Sequence, residues 1–264
     1  MGKWRIGASA KEHRRLSEYA ARFDLLEVDM HKTDKLGVAP DVVFAQILPF
    51  ARKVYSIHLR YRPTAEADGI GTSLADLEYL SRNEAARQLG IRVFVTHTDY
   101  PHSREELLQQ LRRLATGAEE QNVTVVIENL ADTLNRTHDF MDPRNPRLIA
   151  AALERLGSWH LGLCLDIGHA ISNAGLTDSL RWDDNVLKWV KHVHFHDNSF
   201  RRDDHLPVSP TTSDRLIANF KGMLANSAHD GTVILEHKQL AEAVESIEFI
   251  HSERYKGIAP AMLG

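Results

Sequence analysis

Carboxylate and imidazole side chains stand at the ends of several short apolar runs of this chain. Glu128 closes the run VTVVIEN, Asp166 closes LGLCLDI and Glu236 closes TVILEHK, while His58 and His97 close two earlier runs. A charge at the end of a buried segment is costly unless it is paired, hydrogen-bonded or bound to a metal. Three converging carboxylates would repel each other without a cation and would have to bind protons. If the run ends meet, a divalent cation is expected, and mixed imidazole and carboxylate ligation suits zinc, manganese, iron or cobalt better than magnesium.

Histidine is unusually frequent, with 15 residues, and three of them alternate in one run. His192, His194 and His196 in KHVHFHD share one face of an extended strand, because side chains alternate with a period of two. His192 comes earliest and is expected to lie too deep for a site at the strand end. His237 follows Glu236 directly and is expected to point outward, so a structural role is predicted for both His192 and His237.

The stretch GLCLDIGHA combines an acid and an imidazole three residues apart. Asp166 ends the apolar run and His169 follows as the chain turns, so both side chains can face one cavity. Cys164 lies two residues before Asp166 and is expected to pack as a small apolar group. Taken singly, a histidine at a strand end is more often structural than a ligand, so the convergence of several such ends carries the prediction.

The elements that must position these residues are short apolar runs that alternate with amphipathic segments. The runs are WRIGAS, DLLEVDM, KVYSIHL, IRVFVTH, VTVVIEN, LGLCLDI, KHVHFHD and TVILEHK. Strands that alternate with helices imply parallel pairing with right-handed crossovers, and eight such units close a barrel. We therefore predict an α/β fold, a (β/α)8 TIM barrel, as one domain over residues 1–264. In such a barrel the strand ends meet at one functional face.

Composition limits the classes of partner and compartment. The 264 residues carry a formal net charge of -4, which gives no global reason to expect a polyanion. The single cysteine cannot form an internal disulfide, and the start MGKWRIGASAKEHRR lacks the apolar core of a secretory signal. With no long apolar span, a cytoplasmic protein without membrane association is expected. Assembly into a homo-oligomer stays open.

The motifs VVIEN, LCLDIGH, HVHFHDN, DDHLPV and VILEHK, in this order and spacing, resemble the xylose isomerase-like TIM-barrel superfamily. That superfamily contains sugar and sugar-phosphate isomerases and epimerases, inosose dehydratase-like proteins and type-IV apurinic endonucleases. The resemblance extends from the third run to the eighth. In the isomerase and epimerase branch it implies one divalent metal held by Glu128, Asp166, His194 and Glu236. His169 is then implied to contact substrate.

The endonuclease branch implies further ligands at positions that carry suitable residues here. A three-zinc cluster in that branch adds two strand-end histidines, matched by His58 and His97. It also uses His169 together with a D-x-H motif, matched by Asp203 and His205.

Two features bear on the choice of branch. VSPTTSD follows the D-x-H motif where a glycine-rich turn is usual, which argues against the third zinc. Short strand-to-helix connections and the mildly acidic charge argue against a protein that holds a bent duplex. A small carbohydrate-like substrate is therefore favoured, and nucleic acid is kept as the alternative.

The expected activity is that of a metal-dependent isomerase or epimerase of a sugar, sugar phosphate or related polyol. The metal would stabilise an enediolate as a Lewis acid, while Glu128 and Glu236 remove and return the proton as base and acid. The alternatives are a zinc-dependent phosphodiesterase and a non-catalytic metal-binding barrel. The residues expected to bind substrate are Arg60, His196, Arg201 and Lys238, with the basic ones meeting a phosphate if the substrate carries one.

Overall fold

Eight parallel strands close into a barrel in chain order, so the predicted (β/α)8 architecture is confirmed. The computed structural model describes residues 4–30, 38–61, 68–131, 145–173, 182–199, 202–208, 220 and 231–252. Each strand overlaps one of the eight apolar runs and extends at most one residue beyond it. The strands are β1 (Trp4–Ala10), β2 (Leu26–Asp29), β3 (Val54–His58), β4 (Val93–Thr96), β5 (Thr124–Glu128), β6 (Leu161–Asp166), β7 (Val190–Phe195) and β8 (Gly231–Leu235).

Helices follow most strands and cover the outside of the barrel. Within the described ranges the α-helices are α1 (Leu16–Arg22), α2 (Pro40–Ile47), α3 (Gly69–Arg82), α4 (Glu84–Leu89), α5 (Arg104–Glu120), α6 (Pro146–Leu156), α7 (Ile167–Ser172), α8 (Asp184–Leu187) and α9 (Leu240–His251). None of the helices in this part of the chain is long and apolar enough to cross a membrane.

Local sequence signals explain where these helices begin and end. Ser103 caps α5, where its side chain accepts a hydrogen bond from the Glu106 amide at 3.1 Å. The buried residues Leu107, Leu111 and Leu114 then recur at helical spacing and pack on the barrel. These features hold α5 against the barrel, where it packs on β5 and β6.

The interior of the barrel is polar at the carboxyl ends of its later strands. Register pairs Asp166 on β6 with His194 on β7, and Glu128 on β5 with Cys164 on β6. All four residues are buried, and Cys164 packs against Val126 as an apolar group. A ring of acids and imidazoles therefore replaces hydrocarbon at this end.

The segment after β7 returns across the mouth of the barrel. The Asp197 amide donates to the Leu206 carbonyl at 2.9 Å, and the Leu206 amide donates to Asp197 at 2.7 Å. Asn198 Oδ1 accepts hydrogen bonds from the backbone amides of Asp204 and His205 at 2.8 and 2.9 Å. Apart from Val208, the stretch VSPTTSD lies outside the described residues.

Candidate metal centre

Four residues from four strand ends form the centre of the site. Glu128, Asp166, His194 and Glu236 each offer one ligand atom, and these atoms lie within 4.8 Å of one another. All four residues are buried, with at most 7% of the surface of any one exposed. The four side chains named by the resemblance are therefore brought together, while their binding of a metal stays a prediction.

His194 directs its Nδ1 atom at all three carboxylates. Nδ1 lies 3.2 Å from Glu236 Oε2, 3.4 Å from Glu128 Oε2 and 3.7 Å from Asp166 Oδ2. His194 Nδ1 and Glu236 Oε2 have no hydrogen-bond partner among the described residues, although both are buried. Two ligands of a tetrahedral zinc ion, each about 2.0–2.1 Å from the metal, lie about 3.4 Å apart. The spacing and the unpartnered atoms therefore fit a divalent cation.

Backbone carbonyls fix the tautomers of four further histidines around this centre. In each of them Nδ1 contacts a backbone carbonyl oxygen. The pairs are His58 with Leu59 at 3.0 Å, His169 with Asn129 at 2.7 Å, His196 with Asp197 at 3.2 Å and His205 with Glu236 at 2.7 Å. A carbonyl only accepts, so each Nδ1 carries a proton, and in the neutral ring the lone pair is on Nε2. Metal-binding histidines are usually held in this way.

His58 and His97 meet the central carboxylate Glu128 from the side of β3 and β4. The Nε2 atoms of His58 and His97 lie 3.0 and 3.6 Å from Glu128 Oε2. The three residues form a second group of potential ligands, with Glu128 shared between this group and the centre.

A third group lies where the segment after β7 crosses the barrel mouth. Asp203 Oδ1 is 3.4 Å from His169 Nε2 and 3.2 Å from His205 Nε2, and it has no hydrogen-bond partner among the described residues. His205 adopts a positive φ of 53°, which turns its side chain back toward the barrel. His196 also belongs to this group, and its ring stacks on that of His205 at 4.2 Å. The structure thus places His196 among potential ligands, whereas the sequence suggested substrate contact.

Protons on the imidazoles balance the buried carboxylates when no metal is bound. Burial opposes a charge on His58, but its hydrogen bond to Glu128 raises its pKa to about 9. Burial likewise opposes a charge on His169, yet Asp166 and Asp203 raise its pKa well above the usual value. Burial lowers the pKa of His97 to about 4. A divalent cation would replace these protons, because ligands must be deprotonated.

The basic residues predicted to meet substrate take different positions. The Arg60 guanidinium pairs with the fully buried carboxylate of Asp76, through Nε at 3.0 Å and through Nη2. Lys238 is exposed and lines the cavity above the centre, whereas Arg60 is not among the lining residues. Arg201 lies outside the described residues. Substrate contact by these side chains stays a prediction.

Three charged residues of the first two strands were missed by the sequence reasoning. Lys11 follows β1, and its Nζ lies 2.7 Å from Glu236 Oε1. Asp29 ends β2 and lines the cavity, while Glu27 lies fully buried below it on the same strand. The alternation of Glu27 and Asp29 in DLLEVDM is the signal that could have revealed them, because it places both on the inner face of a strand.

The cavity over the centre has a volume of about 330 Å³ and is lined by acids, imidazoles and two tyrosines, Tyr61 and Tyr100. This volume lies at the lower end of the range for small-molecule sites.

His192 lies below the cavity, where its ring contacts Thr232 and Glu27. His237 points away from the barrel interior and is buried under α9, where its Nε2 lies 2.9 Å from Ser246 Oγ.

Comparison with known proteins identifies the family of this barrel. Residues 75–253, more than half of the 264-residue chain, match the family model described as xylose isomerase-like TIM barrel. The chain belongs to the xylose isomerase-like TIM-barrel family.

Two curated relatives are uncharacterized proteins of Methanocaldococcus jannaschii. One is 30% identical over 132 residues, which cover 47% of this chain and 47% of the relative. The other is 25% identical over 179 residues, which cover 63% of this chain and 58% of the relative. The chain therefore matches only about half the length of these relatives.

Solved structures of sugar epimerases and of a zinc protein share the fold of this xylose isomerase-like barrel. A D-tagatose 3-epimerase-like protein superposes with a TM-score of 0.72 at 19% identity, covering 97% of this chain and 98% of that chain. The 3-keto-D-glucoside 4-epimerase of E. coli superposes with a TM-score of 0.63 at 19% identity, covering 94% of this chain and 99% of that chain. The IolI protein with a bound zinc atom superposes with a TM-score of 0.65 at 12% identity, covering 97% of this chain and 98% of that chain. At these identities the likeness shows the fold alone.

Proposed function

We propose that this protein is a divalent-metal-dependent isomerase or epimerase that acts on a sugar, a sugar phosphate or a related polyol. The observation that carries the proposal is the unpartnered His194 Nδ1, buried and facing Glu128, Asp166 and Glu236 at 3.2–3.7 Å. Zinc or manganese fits these nitrogen and oxygen donors best, followed by iron or cobalt. A bound ion supplies a Lewis acid that lowers the pKa of a C–H next to a coordinated substrate oxygen.

Glu128 and Glu236 are the proposed proton carriers. They stand at the ends of β5 and β8, so they reach the cavity from different sides of the barrel. One carboxylate removes a proton from carbon and the other returns one. Return to the adjacent carbon gives isomerisation, and return to the opposite face of the same carbon gives epimerisation.

His169 is proposed to orient the substrate. It lines the cavity, and its Nδ1 is held by the Asn129 carbonyl, so its Nε2 is directed toward Asp203 at the cavity wall. A ring fixed in this way can hold a substrate hydroxyl in one position relative to the two glutamates.

A second candidate function is hydrolysis of a phosphodiester by a cluster of metal ions. The observation that favours it is the presence of further ligand groups at the cavity, one of His58, His97 and Glu128 and one around Asp203. Clustered cations activate water and neutralise phosphate charge. The small cavity and the net charge of -4 favour the first function over this one.

Proton abstraction can be tested without knowledge of the substrate. Free and phosphorylated ketoses and aldoses are incubated in D2O with the zinc- or manganese-loaded protein, and NMR measures deuterium incorporation next to the carbonyl. Exchange that is abolished by a chelator and restored by the metal supports the proposal. No exchange on any sugar, together with cleavage of an oligonucleotide that contains an abasic site, favours the second candidate.

Metal counting on two variants separates the candidates by stoichiometry. Asp166→Ala is expected to lose the central ion, and His169→Ala to keep the ion but lose exchange activity. Under the second candidate His169→Ala also loses about one ion per chain, because it leaves a catalytic zinc with too few protein ligands. A parent protein that binds no metal, or an Asp166→Ala variant with undiminished metal content, would refute the site.

A further inference from the structure

A fully buried glutamate lies inside the barrel directly below the candidate metal centre. Glu27 of β2 has no exposed surface, and the sequence reasoning assigned it no role. Inward positions at this depth of a barrel are usually occupied by branched apolar side chains. An ionised carboxylate here needs partners that justify its burial.

The partners of Glu27 come from strands on both sides of the barrel. Its Oε2 accepts a hydrogen bond from Ser56 Oγ at 2.7 Å and lies 3.0 Å from His192 Nε2. His192 is held in turn through Nδ1, which lies 2.6 Å from Thr232 Oγ1. The two partners of Oε2, Ser56 and His192, are thus not among the four residues of the candidate metal centre.

The second oxygen of Glu27 faces His194. Oε1 lies 3.1 Å from His194 Nε2, at ion-pair distance. Neither atom has a hydrogen-bond partner among the described residues, although both are buried. The same imidazole therefore faces Glu27 through Nε2 and the three acids of the centre through Nδ1.

We propose that Glu27 is a positioning residue that sets the tautomer and the orientation of His194 for metal binding. A carboxylate accepts and does not donate, so Glu27 holds a proton on Nε2. When a cation lies among Glu128, Asp166 and Glu236, the Nδ1 lone pair of His194 is then the one that can bind it. His58, His169, His196 and His205 carry the proton on Nδ1 instead, because backbone carbonyls hold that atom. His194 needs the opposite tautomer, and Glu27 is the group placed to supply it.

The inference rests on the proposed metal centre and goes beyond it in assigning a role to a residue that cannot touch the ion or the substrate. Partners that hold the second nitrogen of a ligating histidine typically change metal affinity by about 10- to 100-fold. A glutamate that only satisfied Ser56 and His192 would affect folding stability and leave metal affinity unchanged. Metal affinity therefore distinguishes positioning from a merely structural role.

The test compares Co2+ binding by the parent with that of three variants. Glu27→Leu removes the acceptor, and Glu27→Gln keeps an acceptor oxygen while it removes the charge. Asp76→Asn is the matched control, because Asp76 is also fully buried and pairs with Arg60 away from the centre. Isothermal titration gives the dissociation constant, and the visible spectrum of bound Co2+ reports the ligand arrangement.

The expected result is a dissociation constant about 10- to 100-fold higher for Glu27→Leu, an intermediate value for Glu27→Gln and no change for Asp76→Asn. A changed Co2+ spectrum in the Glu27 variants agrees with a rotated imidazole. If Glu27→Leu does not fold, Glu27→Gln decides the question against the same control. Parental affinity and spectrum in the Glu27 variants overturn the inference while the metal centre stands, whereas a parent that binds no Co2+, Zn2+ or Mn2+ refutes both.

Discussion

At the scale of single residues, the two proposed proton carriers differ in their surroundings. Glu128 faces imidazoles, with His58 Nε2 3.0 Å from Oε2 and His169 Nδ1 3.2 Å from Oε1. Glu236 faces a lysine as well as an imidazole, with Lys11 Nζ 2.7 Å from its Oε1 and His194 Nδ1 3.2 Å from its Oε2. Glu128 is thus surrounded by imidazoles, and Glu236 is paired in addition with a lysine ammonium that stays charged at neutral pH.

Replacement of either glutamate by glutamine is expected to abolish turnover. Each change removes a ligand charge and a proton carrier, and loss of general acid–base catalysis alone costs about 10²- to 10⁴-fold in rate. Deuterium exchange on a sugar that the parent converts measures the loss, and circular dichroism checks the fold. Glu105→Gln, at an exposed site on α5, is the control and is expected to keep parental activity. Near-parental exchange by Glu128→Gln or Glu236→Gln would contradict the two-glutamate mechanism.

Lys11→Met is expected to move the acid limb of the pH profile of kcat/KM to higher pH. Burial alone would raise the pKa of Glu236, but Lys11 and then His194 outweigh it and hold that pKa well below its usual range. Without the ammonium, Glu236 stays protonated up to a higher pH, so activity is lost earlier as the pH falls. A nearby opposite charge typically shifts a carboxyl pKa by about 1–3 units.

Lys11→Arg is the matched control, because it keeps the charge and is expected to keep the profile near that of the parent. An unchanged acid limb in Lys11→Met, with only KM raised, would assign Lys11 to substrate binding instead.

At the scale of elements, the first turn of α7, which follows β6 directly, packs against the segment that follows β7. The Gly168 carbonyl accepts a hydrogen bond from Asn198 Nδ2 at 2.8 Å. A Cβ atom on Gly168 would overlap the ring of His196. The absence of a side chain at residue 168 therefore lets His196 lie beside Asp166 and lets the crossing segment approach the barrel.

Gly168→Ala is expected to destabilise the protein by about 1–3 kcal/mol, as overpacking of a tight core position does. It should also weaken metal binding, because the displaced His196 ring contacts Asp166 at 3.3 Å. Urea unfolding and metal titration measure the two effects. Gly117→Ala on α5 is the control, since its Cβ would meet only the movable end of Leu74 at 2.6 Å. Equal stability of the two variants would show that residue 168 is not closely packed.

At the scale of the whole molecule, folding, metal binding and protonation are coupled through the barrel centre. In the absence of metal, burial opposes a charge on His58 and His169, but Glu128 and Asp166 respectively raise their pKa values above the unfolded value of about 6.5. Groups with raised pKa values stabilise the fold fully below the unfolded value and lose that contribution as the pH rises through the folded value. A metal ion reverses this dependence, because it binds the deprotonated ligands.

The metal-free protein is therefore expected to lose stability between about pH 6.5 and the pKa of about 9 reached by His58. Metal affinity should rise over the same interval, since fewer protons must be displaced. Metal at 100 times its dissociation constant adds about 2.7 kcal/mol to the free energy of unfolding. Thermal unfolding with and without zinc from pH 6 to 9 measures both effects, and a metal-induced shift in Tm that shrinks with rising pH would contradict the coupling.

The sequence by itself determined that the chain forms a barrel and that its site lies at the carboxyl ends of the strands. Eight apolar runs of strand length alternate with amphipathic segments, and local side-chain periodicity places Glu128, Asp166 and Glu236 at strand ends. Because parallel strands of a barrel end at one face, these acids could be expected to meet before any contact was known. The prediction needed only the direction of each side chain, which depends on a few neighbouring residues.

Only the tertiary structure decided which side chains pair once the strands are closed into a barrel. Glu27 and His192 are 165 positions apart along the chain, yet they lie on facing strands and are 3.0 Å apart. The pairing of Lys11 with Glu236 depends on the closure of β1 against β8. The pairing of Arg60 with Asp76 depends on the position of α3 relative to the end of β3. Such contacts depend on strand stagger and helix placement, which arise from packing of the whole core and leave no local periodicity in the chain.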